Sequence, residues 1–414
     1  MAKLQPPRGT HDLYGDDARR HRHVVESSLE ISQTYGYGEI ATPIFEFTEV
    51  FKRTLGEVSD VVSKEMYTFD DRGQESITLR PEGTAGVARA LITGGMTQNL
   101  PQRFFYQGPM FRYERPQKGR QRQFHQIGIE TLGVAQPQAD VEVIACGADI
   151  LERLGILSRT VLELNTLGDT ESRTAYRTAL IDYFRSHTGS LSEDSIRRLD
   201  VNPLRILDSK DEGDRKIVET APSFDDYLNP LSQDFFATVT GGLDALGIAW
   251  QRNTKLVRGL DYYCHTAFEF VTQDLGAQGT VMGGGRYDGL VEMMGGPAVP
   301  GVGWAAGIER LAMLVENVPS EPAPIAIVAL GEAGEIEGLK LAHTLRKAGF
   351  RVEQSFSGNM GKRMKRADKI GAAAALILGD DELAKSVVQV RDLRAGEQEE
   401  MPLNEIVEHL ARFR

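Results

Sequence analysis

Hydrophobic and polar positions fall into distinct textures along the chain. Residues 40–145 and 250–310 are rich in aromatic and β-branched runs broken by glycine turns, the pattern of strands. FFYQGPMFRYE (104–114) reads as a strand, RPQKGRQRQ (115–123) as a Pro/Gly/basic loop, and FHQIGIETLG (124–133) as a returning strand. The stretch between the two strand-rich parts, residues 165–247, is mostly helical in pattern and polar, and contains SKDEGDRK. These textures predict one α+β core built on an antiparallel sheet and interrupted by a helical insertion over about 165–247. A change comes at ENVPSEPAPIA (316–326), where Pro319, Pro322 and Pro324 mark a linker. Beyond it IAIVAL, RVEQSF, AAALILG and VVQVRDL read as strands. They alternate with the helical patterns IEGLKLAHTLRKAG and GKRMKRADKIG, and NEIVEHLARF reads as a last helix. That alternation predicts a small α/β domain with a largely parallel sheet. The expected domains are therefore 1–319 and 325–414.

Composition narrows the class. With 414 residues and 41% hydrophobic content the chain can fill more than one core. Its net charge of −12 does not announce a nucleic-acid binder, so any polyanion contact must be local. KRMKRADK (362–369) is such a place, with five cations and one anion in a domain whose charges balance as a whole. Cys146 and Cys264 are too few for a disulfide framework and lack zinc-ligand spacing, which points to a reducing compartment. MAKLQPPRGTHDLYG has no apolar signal core, and no run approaches the ~18 apolar residues of a membrane span. A cytoplasmic protein without membrane association is expected. There is no fixed-period repeat and no low-complexity tract.

Several stretches carry candidate chemistry. Alternate strand residues share a face, so Arg112 and Glu114 are expected to point one way, and Gln126, Gly128 and Glu130 likewise. A cation, an amide and a carboxylate around a glycine suit the floor of a pocket for a small zwitterion, with the basic loop above it. SITLRPEGTAG (76–86) brings Glu82 and Thr84 to the end of a strand, where a carboxylate can meet an amine; an ordinary strand-to-helix turn fits those residues equally well. In LVRGLDYYCHTAFEFV (256–271), Arg258 beside Tyr262 and Tyr263 suits an anionic ligand held by a rigid donor fork, although paired tyrosines also serve plain packing. GGGRYDGL (283–290) marks a close backbone approach or a glycine hairpin. GVGWAAGIERLAMLVE (301–316) mimics a dinucleotide fingerprint, but it lacks the βαβ context and the later acid. It reads instead as a strand entering a helix whose apolar face is Ile308, Leu311, Ala312 and Val315. Arg310 in the first turn favours a phosphate there, and a surface pair with Glu309 is the alternative.

Taken together, these motifs resemble the class II aminoacyl-tRNA synthetases, and among them the histidyl-tRNA synthetase family. YGYGEIATPIFEFTEVFKRTLGE, with Pro43, is similar to the first class motif, FRYERPQKGRQRQFHQIGIE to the second and GVGWAAGIERL to the third. LVRGLDYY and GGGRYDGL are similar to the two signatures of the histidine family. KRMKRADKIGA, LGDDEL and RDLRAGEQ resemble the class IIa anticodon-binding domain. The resemblance implies a ligase that activates L-histidine with ATP and moves the histidyl group to tRNA(His), without an editing domain. It further implies a histidine site of Glu82, Gly83, Thr84, Arg112, Gln126, Glu130, Arg258, Tyr262, Tyr263 and Tyr287. In that site Glu82, Thr84 and Gln126 would hold the α-amino group, and Glu130 with Tyr263 the imidazole. ATP would meet Arg112 at its α-phosphate, Arg310 at its γ-phosphate and Glu114 beside them, and Arg258 would do the work of a metal ion near the α-phosphate. Mg2+ is expected with ATP, and no tightly held protein-ligated metal. Contacts to tRNA would come from Gln117, Lys118, Arg120 and Arg122, and from Lys362, Arg363, Lys365 and Arg366. A homodimer through the first motif is implied as well. The chain departs from the family pattern at Cys264 and His265, after the tyrosine pair, and at Trp304 in the third motif.

Overall fold

A computed structural model describes residues 3–55, 61–200, 203–207, 209, 211–256, 262–276 and 279–413. The chain divides into two compact units, Met1–Val318 and Pro319–Arg414. In the first, α1 (Gly15–Thr34) leads to β1 (Gly38–Glu39), β2 (Phe45–Phe47), α2 (Thr48–Leu55), β3 (Tyr67–Asp70), β4 (Ser76–Leu79) and α3 (Thr84–Thr93). The paired strands β5 (Gln102–Phe111) and β6 (Gln123–Leu132) follow, then α4 (Gln138–Arg153) and β7 (Val161–Thr166). A helical stretch holds α5 (Thr170–Arg185), α6 (Glu193–Arg198), α7 (Glu212–Val218) and α8 (Pro230–Ala245). The unit closes with β8 (Trp250–Arg252), β9 (Cys264–Val271), β10 (Thr280–Arg286), α9 (Leu290–Met293), β11 (Gly301–Gly307) and α10 (Ile308–Leu314).

Eight strands form the main sheet in the order β1-β5-β6-β11-β10-β9-β7-β8, with antiparallel pairing from β5 through β7. Strand β6 lies inside this sheet, and its two faces carry different cargo. Ile127 and Ile129 are fully buried and join a core with Val143, Ile144 and Leu151 of α4 and with Ile308 and Leu311 of α10. The alternate residues Gln126, Gly128 and Glu130 turn to the other face, where Tyr106, Tyr262, Tyr263 and Tyr287 make a second cluster. Opposite the site, the first turn of α4 is tied to the end of β10 by Asp140 and Arg286, both fully buried. Arg286 also donates to the Val134 carbonyl at 2.9 Å and to Asp288 at 3.1 Å, so this buried charge is paired on several sides.

The helical stretch is not one body. Tyr176, Leu180 and Phe184 of α5 pack with Leu191, Leu199, Ile206 and Ile217 in a small core of their own. By contrast, α8 places Val239 and Leu243 in the main core beside α4. Asp169 caps α5 by accepting from the Ser172 amide at 2.8 Å, and Asn229 caps α8 in the same way from Ser232 at 2.9 Å.

The second unit runs β12 (Ile325–Ala329), α11 (Gly331–Lys347), β13 (Val352–Gln354), α12 (Met360–Lys369), β14 (Ala374–Leu378), α13 (Asp380–Ala384), β15 (Val387–Asp392), β16 (Gln398–Pro402) and α14 (Ile406–His409). Its sheet order is β13-β12-β14-β15-β16. The first three strands are parallel, but β15 and β16 join antiparallel, so the sheet is mixed rather than largely parallel. The polar strand β16 is not marked by any apolar run; pairing with β15 orders it. The expected last helix is shorter than its pattern, α14 giving way to a 3-10 turn at Leu410–Phe413.

Candidate active site

The open face of the main sheet holds a cavity of about 200 Å³ lined by Glu82, Thr84, Arg112, Gln126, Tyr263 and Arg310, among others. Each comes from a different local device. Strand β4 ends before the Pro81 turn, and α3 begins at Thr84. Glu82 then accepts from the α3 amides of Thr84 at 2.7 Å and Ala85 at 2.9 Å. Burial raises the Glu82 carboxyl above its ordinary range even though both amides favour its ionised form. Gly83 has room for no side chain, because a Cβ there would run into the Tyr106 ring.

Glu130 is the most deeply placed acid of the site, 1% exposed. Its Oε1 accepts from the Thr84 hydroxyl at 2.6 Å, and its Oε2 accepts from the Tyr287 hydroxyl. Burial pushes this carboxyl up to about 8, with a smaller contribution from Glu82, while the two hydroxyls oppose the shift. The expectation that Glu130 lies on the open floor needs correction: Thr84 and Tyr287 line the cavity and Glu130 stands behind them. Tyr106 produces this arrangement. It pairs directly opposite Gly128 in the β5–β6 register, and its ring fills the space that a side chain at Gly128 would need. Tyr262, Tyr263 and Tyr287 close the same end, with ring centroids 4.7 Å, 5.8 Å and 6.4 Å apart in pairs. Gln126 presents a buried side-chain oxygen with no hydrogen-bond partner among the described residues.

At the other end of the cavity the charges are cationic. Strand β5 stops at Phe111, so Arg112 and Glu114 do not share a strand face as expected. A tight turn, closed by the Glu114 amide on the Arg112 carbonyl at 2.8 Å, sets both on the cavity wall instead. Arg112 donates to the Pro81 carbonyl at 2.9 Å and lies over the Phe124 ring. Arg120 pairs with Glu114 at 2.7 Å. Arg310 donates to the Gly119 carbonyl at 3.1 Å and to the Thr280 carbonyl at 2.6 Å. Burial and the neighbouring Arg120 both disfavour its charge, as expected for a guanidinium gathered with others toward an anion.

The surface-pair alternative for Glu309 and Arg310 is excluded. Glu309 accepts from the His125 backbone amide at 3.0 Å and lies 2.8 Å from His125 Nδ1, which clasps the start of α10 to β6. Burial opposes ionisation of Glu309, but the bonds from His125 outweigh it and hold the carboxyl below its ordinary range.

The basic loop divides. Gln117 and Lys118 are exposed at its tip, where Gln117 and Arg120 close a turn by mutual backbone bonds near 3.0 Å. Arg120 faces the cavity, and Arg122 is stacked on the Tyr113 ring with its carbon 3.8 Å from the centroid. Arg122 is thus engaged within the fold, whereas Arg120 pairs with Glu114 and is still exposed. A second correction concerns Arg363: it is 6% exposed and donates to the Ser355 and Gly358 carbonyls, so it is not a surface phosphate contact. Lys362, Lys365 and Arg366 are exposed. Arg258 falls within 257–261 and lies outside the described residues. Tyr106 and the His125–Glu309 clasp were missed from sequence; Tyr106 carried a signal, its place on the strand face it shares with Gly108 and Met110.

A sheet of this order, with a carboxylate and tyrosines at one end of its cavity and arginines from the β5–β6 connection and α10 at the other, defines a class II aminoacyl-tRNA synthetase core. The histidyl-tRNA synthetase family model matches residues 9–175 and 201–311, and an anticodon binding domain model matches 325–412. The chain belongs to the histidyl-tRNA synthetase family. It is 61% identical to a histidine--tRNA ligase of Rhodospirillum rubrum and 59% identical to one of Gluconobacter oxydans, in each case over the whole of both chains. The apo histidyl-tRNA synthetase of S. aureus has the same fold at a TM-score of 0.85 and 36% identity, with 98% of this chain and 99% of that one covered. A Bacillus halodurans structure titled as an ATP phosphoribosyltransferase regulatory subunit/histidyl-tRNA synthetase shares the fold at 21% identity and a TM-score of 0.66.

The raised Glu130 carboxyl has a consequence for stability. It binds its proton more tightly in the folded protein than at the ordinary 4.5, so its contribution is fully present below about pH 4.5 and is lost as pH climbs through about 8. Glu130→Gln keeps the shape of the neutral form. The urea midpoint of the variant should therefore fall less than that of the wild type between pH 5 and pH 8; parallel curves would contradict the buried, protonated state.

Proposed function

We propose that this chain is a histidine--tRNA ligase working in two steps. The carboxylate of L-histidine attacks the α-phosphorus of ATP, forming the acyl–phosphate bond of histidyl-adenylate as pyrophosphate leaves. A hydroxyl of the terminal ribose of tRNA(His) then attacks the acyl carbon and AMP leaves. The observation that carries this reading is the polarity of this cavity, acceptors and tyrosines at one end and Arg112, Arg120 and Arg310 at the other. Attack of an already ionised carboxylate needs no general base. It does need fixed positive charge where negative charge builds on the phosphate oxygens.

In this reading the buried Gln126 oxygen, with Glu82 and Thr84, receives the α-ammonium group. Gly83 lets Tyr106 approach and so shapes that corner. The imidazole enters among Tyr262, Tyr263 and Tyr287. A Tyr287 hydroxyl that donates to Glu130 turns its lone pairs toward a ring N–H, so Glu130 reads the ring through Tyr287. Arg112 takes the α-phosphate and Arg310 the γ-phosphate, while Glu114 orients Arg120 beside them. Arg258 is assigned to the α-phosphate by resemblance.

No group of three or more His, Cys, Asp or Glu side chains among the described residues is placed to hold a metal ion. The cavity carboxylates Glu114 and Glu309 are engaged by Arg120 and His125, so these residues do not fit a protein-built metal cage. Mg2+ is assigned to the phosphates of ATP, the habit of a cation that keeps its water and binds few protein ligands. No described helix is long and apolar enough to cross a membrane, and a reaction of ATP with tRNA suits the cytoplasm. Gln117, Lys118, Arg120, Lys362, Lys365 and Arg366 are the exposed candidates for tRNA contact.

A homodimer through the first motif completes the reading. The small β2-β4-β3 sheet exposes Phe45, Phe47 and Phe69 by 56%, 54% and 49%, an apolar face of the kind that interfaces cover. Phe47→Asp should shift the protein from dimer to monomer in sedimentation velocity; a wild type that sediments as a monomer would end this part of the proposal.

The ligase reading itself is tested by exchange of pyrophosphate into ATP with each standard amino acid in turn. Histidine alone should support exchange. Discrimination of roughly 10⁴-fold is within reach of a site whose buried polar groups a rival side chain leaves unpaired. Exchange with threonine, proline or glycine at a similar rate, or with no amino acid, would overturn the reading; the second outcome would favour a regulatory subunit sharing the fold.

A further inference from the structure

Phe356 is 78% exposed, although the backbone on either side of it is held by hydrogen bonds from a buried arginine. It lies two residues after β13 and stands at the carboxyl end of the three parallel strands, the edge at which open α/β sheets bind ligands. The loop that carries it, 355–359, is pinned from below by Arg363. That guanidinium donates to the carbonyls of Ser355 at 3.0 Å and Gly358 at 2.8 Å, on either side of Phe356, and also to the Ala329 carbonyl at the end of β12. Glu335 of α11 closes the fork at 2.8 Å. Asn359 then caps α12 by accepting from the Lys362 amide at 3.1 Å. A buried arginine with four partners thus fixes a loop whose most prominent side chain is an aromatic ring in water. Folding alone gives no reason to spend such a pin on an exposed ring.

The surroundings of the ring identify its partner. Lys362, Lys365 and Arg366 are exposed on α12, which begins four residues after Phe356. An aromatic face beside a row of cations is the arrangement that binds single-stranded nucleic acid, with the ring stacking a base and the cations following the phosphates. A protein partner would not need that local excess of positive charge. The cation row also lies in the part of the chain that matches the anticodon binding model.

We propose that Phe356 is a preorganised stacking platform for a nucleobase of the tRNA anticodon loop, and that Arg363 is the positioning residue that holds it ready. The proposal rests on the ligase reading above and adds to it the side chain that meets the base. Because the loop is fixed before binding, little ordering cost is incurred when the base arrives.

The test compares wild type, Phe356→Ala and Phe356→Tyr in charging full-length tRNA(His) and an acceptor-stem minihelix without an anticodon, with histidine-dependent pyrophosphate exchange alongside. Phe356→Ala should lower kcat/KM for full-length tRNA by roughly tenfold or more, mainly through KM, as expected for one lost base stack. Phe356→Tyr should restore most of it. Minihelix charging and pyrophosphate exchange should be the same in all three proteins. Wild-type charging of full-length tRNA by Phe356→Ala, an equal loss on the minihelix, or a tyrosine variant no better than alanine would each overturn the proposal. Failure of the wild type itself to exchange pyrophosphate with histidine would remove the ligase reading, and the platform with it.

Discussion

The site is organised around one costly placement, a carboxyl group buried at the centre of an eight-stranded sheet. Among the described residues, Glu130 has two hydroxyl groups as its hydrogen-bond partners, and burial, helped by the nearby Glu82, favours its protonated form. Much of the surrounding architecture answers to that. Thr84 opens α3 under the carboxyl cap of Glu82, so the hydroxyl that meets Glu130 is fixed by a helix terminus. Tyr287 follows β10 directly, whose end is anchored on the far side by Arg286 and Asp140. Gly303 pairs with Glu130 across β6 and β11 and leaves room for the carboxyl. Removing either hydroxyl would leave one oxygen of a buried acid without its partner, a loss of the order of 1–3 kcal/mol for each unsatisfied group.

The opposite end of the cavity uses the reverse logic. Its arginines sit at the edge of water, and each is oriented by a carbonyl or a carboxylate instead of being neutralised outright. Pro81 aims Arg112, Gly119 and Thr280 aim Arg310, and Glu114 aims Arg120. The His125–Glu309 clasp ties the helix of Arg310 to the strand of Gln126, so the arginine end and the Glu130 end of the cavity share one frame. Such a frame lowers a barrier by having its charges in place before reaction, with little left to reorganise.

How much of this was legible depended on the range of the interaction. Period-two alternation put Gln126, Gly128 and Glu130 on one face, and the apolar spacing of Ile308, Leu311 and Val315 placed Arg310 in the first turn of a helix; both features are local, and the structure has both. The α+β core and the α/β unit beyond the prolines were readable on the same grounds. What the pattern did not carry was decided by neighbours distant in sequence. Nothing local says that Tyr106 will cover Gly128 and set Glu130 back from the cavity. Arg363 sits in a run of cations, and only its spacing of four from the buried Ala367 hints that it faces inward. Strand β16 has no apolar pattern, and α8 reads like the polar helices before it until its packing on α4 is seen.

Burial of Glu130 favours its protonated form near neutral pH, and the proposed meeting of an imidazole N–H with Tyr287 would displace that proton. Isothermal calorimetry of histidine binding at pH 7, in buffers of different ionisation enthalpy, measures that proton directly. The prediction is release of a large fraction of one proton per site by the wild type and close to none by Glu130→Gln. Equal proton release by the two proteins, or none by the wild type, would contradict it.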